Sequence, residues 1–265
     1  MTSSNSAKHL DIAQLDSLTG GAFTAATAGD RASRIREWLQ GNPSADLLAE
    51  VFRELSVKDK GAAKLVRERL DDAKRAKGQE LLAAEWAARA QALIDTAKLN
   101  IADALAWQRD AAKAGAPLSK EPLATFKTQL AERVRGIEDL QHQVQVQREA
   151  AVLLAQRIEV LSTKPWGDAH AALDALRADV DHWQTQATAL VAHASWASVD
   201  LKFPPLLDAS RAQLLVVWDA FQAALNLAVA AAADASAPLP PVPVWADELR
   251  VVRGVPAEAP AKQAK

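Results

Sequence analysis

Residues 118–162 constrain the fold more than any other stretch of the chain. The segment LSKEPLATFKTQLAERVRGIEDLQHQVQVQREAAVLLAQRIEVLS holds one proline, near its start, and one glycine in 45 residues. Leu123, Phe126, Leu130, Val134, Ile137 and Leu140 recur at spacings of three and four, the signature of one helix face. From Val144 the spacing tightens to a heptad: Val144, Ala151, Leu154, Ile158 and Leu161, with Gln147 in one seam slot. A 3.5-residue period implies close supercoiled packing against a partner helix. Ser119 is placed to cap the helix, with Glu121 and Pro122 suited to its first turn. The partner is either the 79–113 segment or a helix of another chain, and residues 144–161 are the first candidate interface.

The preceding segment supplies that partner. From Ser56-Val57-Lys58-Asp59, which resembles a capping box, to Lys113 no proline occurs. One long helix, or two broken near Gly78, is the expectation. Its stripe runs Leu82, Trp86, Ala90, Leu93, Ala97, Ile101 and Leu105. Ala114-Gly115-Ala116-Pro117 stops it, and so short a connection favours an antiparallel return. The predicted core of the fold is therefore a long antiparallel helical hairpin, coiled-coil-like, over 56–162.

Shorter elements flank this hairpin. Residues 1–29 are expected to be largely flexible, apart from a short helix over 11–18. Residues 30–55 should form a helical cap: Asp30 caps a helix carrying Ile35, Trp38 and Leu39, and Ser44 caps one carrying Leu47, Leu48, Val51, Phe52 and Leu55. A second helical hairpin is expected over 163–235, with a loop at 193–205. Residues 236–265 read as a Pro-rich connector, a short amphipathic helix from Trp245 to Val252, and a disordered tail. The class is all-α.

Within 166–224 the chain resembles the repeat of the bacterial domain-of-unknown-function 349 family. Trp166 and Trp183 fall on the first helix, Pro204-Pro205 in the loop, and Leu215-Val-Val-Trp218-Asp-Ala-Phe221 on the second. The resemblance covers one copy and rests on aromatic packing positions. It implies a helical protein of interaction type and brings no catalytic residues.

Composition narrows function by exclusion. There is no cysteine, so disulfides, cysteine-ligated metals and thiol nucleophiles are absent. No Gly-x-Ser-x-Gly elbow or phosphate-binding glycine loop occurs. His170 and Asp174 are four apart, but no third residue is spaced to complete a metal site on the helix. A non-enzymatic protein without cofactor or small-molecule substrate is expected. The N-terminus lacks an apolar signal core, and no run approaches membrane-spanning length free of charge. A soluble cytoplasmic protein of bacterial type, without a membrane partner, is the corresponding expectation.

Two surfaces are candidates for function. Of the eight tryptophans, Trp107 lies off its stripe while Trp196 and Trp245 lie outside the long helices; these three are candidate exposed contacts for a protein partner or for self-association. Between Arg53 and Lys77 nine basic residues face five acidic ones, a local charge of +4. Lys60, Lys64, Arg67 and Lys74 share a helix face, where they are the candidate contacts of an alternative reading as a nucleic-acid- or ribosome-associated protein. The net charge of -2 provides no global field to support it.

Overall fold

The computed structural model describes residues 9–254, and among them the chain is all-α. The helices are α1 (Ile12–Leu18), α2 (Ala28–Gln40), α3 (Ala45–Lys58), α4 (Lys60–Asp95), α5 (Ile101–Lys113), α6 (Leu123–Leu161), α7 (Trp166–Ala192), α8 (Phe203–Ala233) and α9 (Pro243–Val252). Residues up to 91 together with 107–127 form one compact unit, and 92–106 together with those from 128 onward form another. Residues 1–8 of the segment expected to be flexible, and most of the tail expected to be disordered, lie outside the described residues.

In the first unit, α1, α2, α3 and the start of α4 enclose a core of Leu15, Phe23, Ile35, Leu48, Val51, Leu55, Val66 and Leu70. The short helix expected over 11–18 is α1, and the stretch 19–27 after it is also structured, against the expectation of a flexible segment. Asp11 and Gln14 form a reciprocal capping box at α1. The Asp16 carboxylate then accepts the main-chain N–H groups of Phe23 and Thr24 at 2.9 and 3.0 Å, folding the loop so that Phe23 is buried. Thr27, not Asp30, is the N-cap of α2, its hydroxyl accepting the Asp30 N–H at 3.1 Å. Asp30 stands in the first turn, where its charge opposes the positive end of the helix dipole.

The expected helix start at Ser56 is displaced. α3 runs on to Lys58, and Ser56 bonds back to the carbonyls of Phe52 and Arg53. Asp59 is the break, and its carboxylate accepts the N–H groups of Gly61 and Ala62 at 3.0 and 3.1 Å to begin α4. Arg31 donates to the other Asp59 oxygen at 2.9 Å. The two bonds from α4's N–H groups and that from Arg31 hold the Asp59 carboxyl below its ordinary value.

α4 passes through Gly78 without interruption. The helix stops instead at 96–100, and α5 begins after Asn100, whose side-chain oxygen accepts the Ala102 N–H at 2.9 Å. No glycine or proline lies in 96–100. The cause is tertiary: the Arg133 guanidinium donates to the carbonyls of Leu93, Ile94 and Thr96 at 3.1, 2.6 and 2.5 Å. Those carbonyls have lost their intrahelical partners at the end of α4. Leu99, buried beyond the break, donates its N–H to the Ser198 hydroxyl at 2.9 Å.

Between α5 and α6, Gly115 takes φ of +76°, the left-handed conformation of a helix-ending glycine. α6 begins at Leu123, three residues later than a cap at Ser119 implies. The second unit's main core joins α6, α7, α8 and α9: Val144, Leu154 and Ile158 from α6, Leu176, Val180 and Trp183 from α7, Leu214, Trp218 and Phe221 from α8, and Trp245 from α9. α8 is long and apolar enough, by length and composition, to cross a membrane, with mean hydropathy of 1.7 in its most apolar window. Its aspartates Asp208 and Asp219 are exposed, while Leu207, Leu214, Trp218, Phe221 and Leu225 are buried in the unit's core.

Candidate interaction surface

The predicted seam of α6 is closed from within the chain. Val144, Ala151, Leu154 and Ile158 are buried, Leu161 is half-buried, and all belong to the core formed with α7 and α8. The expected partner segment 79–113 contributes no residue to that core. Polar contacts fix the α6–α7 pairing. Trp183 donates its indole N–H to the Gln147 carbonyl at 2.8 Å, Gln147 donates its side-chain amide to Gln186 at 2.8 Å, and Arg157 pairs with Asp179 at 2.5 Å.

Two of the three tryptophans proposed as exposed contacts are buried. Trp107 is 5% exposed and donates to the Trp86 carbonyl at 3.0 Å. Trp245 is fully buried, donating to the Lys164 carbonyl at 2.8 Å and packing edge-on against Phe221 at 5.9 Å. Trp196 is half-buried against the α7–α8 core. The reason is shared: an indole carries a large apolar body and one donor, and both are satisfied where a main-chain carbonyl stands beside a core.

The basic residues remain on the surface of α4. Lys60, Lys64, Arg67 and Lys74 are exposed, but Asp71 stands in the same stripe, 4.0 Å from Arg67. Arg75 pairs with Asp72, and Lys58 is turned to the Phe23 carbonyl. Lys60, Lys64 and Lys74 have no ion-pair partner among the described residues.

The outward side of α6 presents a second stripe that the seam pattern concealed. Val146, Leu153 and Val160 are 40%, 66% and 55% exposed. Seven-residue spacing turns the helix by about 700°, so these three side chains lie within about 40° of arc. Exposed Val152, about 100° round the helix from Leu153, and Val216 of α8, 69% exposed, line a groove between the two helices. That groove, about 570 Å³, runs between α6 and α8 over Ala151, Ala155 and Ala212, whose small side chains leave it open. A shallower one of about 370 Å³ follows the α7 side of α6, with Leu153 on its wall. The α6 ridge thus stands between two grooves within one unit. The available signal in the sequence was the register itself: 146, 153 and 160 repeat as regularly as the buried seam.

Beside the α4–α5 break lies a more polar cleft of about 530 Å³, lined by Lys98, Asn100, Gln141, Ser198, Asp200 and Lys202. Its polar groups are largely committed to the fold. Gln141 accepts the Asp200 N–H at 2.9 Å, Asp200 accepts the Lys202 N–H at 3.0 Å, and Ser198 joins Leu99 to Ala97. No group of three or more metal-ligating side chains occurs among the described residues.

Compared with protein-family models, curated proteins and solved structures, the chain finds no match.

Proposed function

We propose that the chain is a non-enzymatic helical scaffold or adaptor that works by protein–protein contact through the outward side of α6. One observation carries this reading: Val152 of α6 and Val216 of α8, both exposed, line an open groove, and Val146, Leu153 and Val160 are exposed along the same helix α6, whose opposite face is buried. Isolated surface aliphatics are ordinary, but a run of them along a groove marks a contact site. Rigid helices hold the surface in shape, so little ordering is needed on binding. The resemblance of 166–224 to a helical repeat accords with an interaction role, since Trp183, Trp218 and Phe221 supply the packing that holds α7 and α8 behind the groove. The basic face of α4 supports nucleic-acid contact less well, because Asp71 interrupts it.

The test is a photo-activatable amino acid at position 153 in the native cell. A covalent adduct with protein is expected, and the same group at exposed Val57, far along the sequence, should not give that adduct. Loss of specificity for position 153, or no adduct, overturns the reading.

A further inference from the structure

We infer that the cleft beside the α4–α5 break binds a small molecule carrying a carboxylate or phosphate group on an apolar body. The inference is independent of the α6 ridge. The cleft lies within the second unit, between residues 98–101, Gln141 of α6 and the 198–203 segment. At about 530 Å³ it has the size of a small-molecule site. Leu99, Ser198, Val199 and Phe203 are buried, so the packing of the unit holds its walls in place.

The hydrogen bonds around the cleft use up side-chain acceptors and leave donors. The Asn100 side-chain oxygen accepts the Ala102 N–H at 2.9 Å, and the Gln141 side-chain oxygen accepts the Asp200 N–H at 2.9 Å. A main-chain N–H can only donate, so each amide turns its oxygen to the backbone and keeps its NH2 group uncommitted. The Ser198 hydroxyl is used twice, accepting the Leu99 N–H at 2.9 Å and donating to the Ala97 carbonyl at 3.4 Å. One Asp200 oxygen accepts the Lys202 N–H at 3.0 Å. Lys98 and Lys202 have no ion-pair partner among the described residues, and the Lys202 ammonium stands 5.2 Å from the centre of the Phe203 ring. The side-chain groups left over are two ammonium groups, two amide NH2 groups and the second Asp200 oxygen. With two lysines and one aspartate, the lining carries a formal charge of +1. Such a set selects an oxyanion, whose oxygens only accept, whereas a neutral or cationic ligand would leave the donors unmatched. Ile101 and Leu201, the latter 74% exposed, offer the body of the ligand an apolar surface in the same cleft.

The test titrates phenyl phosphate into the full chain and follows the main-chain amides by nuclear magnetic resonance. Shifts centred on Leu99, Ile101 and Asp200 are expected, with a dissociation constant of about 1 mM or tighter. Benzoate in its place tells a carboxylate site from a phosphate site by which of the two binds tighter. Benzyl alcohol, with the ring but no charge, should not bind, and inorganic phosphate should bind more weakly than phenyl phosphate. Lys98→Gln combined with Lys202→Gln should weaken binding by about tenfold or more. Lys98→Arg with Lys202→Arg, which keeps both charges, should retain it and so separates lost charge from a damaged fold. Lys60→Gln with Lys64→Gln, at exposed lysines of α4, should leave binding unchanged. The inference is overturned if neither phenyl phosphate nor benzoate shifts those amides at about 10 mM, if benzyl alcohol binds as well as they do, or if the α4 pair matters as much as the cleft pair. Inorganic phosphate binding as tightly as phenyl phosphate overturns the apolar half of the site.

Discussion

The indole N–H of Trp183 donates to the main-chain carbonyl of Gln147 at 2.8 Å, fastening the middle of α7 to the middle of α6. Both residues are buried. The Gln147 carbonyl sits within a continuous helix, so the indole adds to an acceptor already used by the backbone. Trp183→Phe should therefore cost only about 1 kcal/mol, the net worth of one hydrogen bond. Trp183→Ala should cost about 3–5 kcal/mol through the cavity it leaves. Urea denaturation of the two variants measures the difference; equal losses would show that the hydrogen bond, not the ring, dominates.

Gln147 itself is the polar intruder in the α6 seam. Its amide nitrogen reaches Gln186, but its side-chain oxygen is buried with no partner among the described residues. Leucine at this position would remove the unsatisfied oxygen and return exposed Gln186 to water. Gln147→Leu should raise stability by about 1 kcal/mol, whereas Gln147→Ala should lower it by leaving a void. A destabilised leucine variant in thermal unfolding would contradict this account.

Asp59 links the start of α4 to Arg31, and its carboxyl titrates below the ordinary range, chiefly because the Ala62 N–H and then the Arg31 guanidinium bond to the charged form. A depressed folded pKa contributes stability that is fully present above the unfolded value, near 3.9, and is lost as pH falls through the folded one. Asp59→Ala should cost about 1–2 kcal/mol at neutral pH through loss of the cap. Asp59→Asn keeps an acceptor but not the charge, so its deficit against the parent should shrink as pH drops below about 4. Stability measured from pH 7 downward checks both, and a deficit independent of pH would assign Asp59 no electrostatic role.

Residues 74–81 of α4 are exposed on every side, and Gly78 lies among them. A methyl group at Gly78 would meet nothing within 4 Å. Gly78→Ala should stabilise the helix by about 1 kcal/mol by removing backbone freedom from the unfolded chain. Lys74, Arg75 and Lys77 make this uncovered stretch the expected first site of limited tryptic cleavage, slowed in the alanine variant. Hydrogen exchange over 74–81 reports the same opening, and protection equal to that of 60–70 would refute it.

Much of the architecture was legible in local chemistry. The helix pattern of α3 and its Ser44 cap, the stop at Gly115, and the start of α7 after Pro165 all follow from residues in place. The buried face of α6 followed from the heptad, because a stripe that regular has to be covered. What covered it did not follow. A heptad specifies that a partner exists, and α7 and α8 offered stripes as apolar as that of 79–113. The Trp107 and Trp245 indoles looked unattached because their acceptors, the carbonyls of Trp86 and Lys164, lie 21 and 81 residues away.

The sequence by itself determined that this chain is helical, where its strongest caps lie, and which face of α6 is buried, because those depend on spacings of a few residues. The break in α4 shows what it left open. Gly78 weakens a helix by about 1 kcal/mol, too little to end one held at both sides. The segment 96–100 contains no breaker, yet the helix ends there because the Arg133 guanidinium and the Ser198 hydroxyl satisfy backbone groups that would otherwise be orphaned. The partner of the α6 seam was decided in the same way, by hydrogen bonds and burial between residues far apart in the chain, which only the tertiary structure brings together.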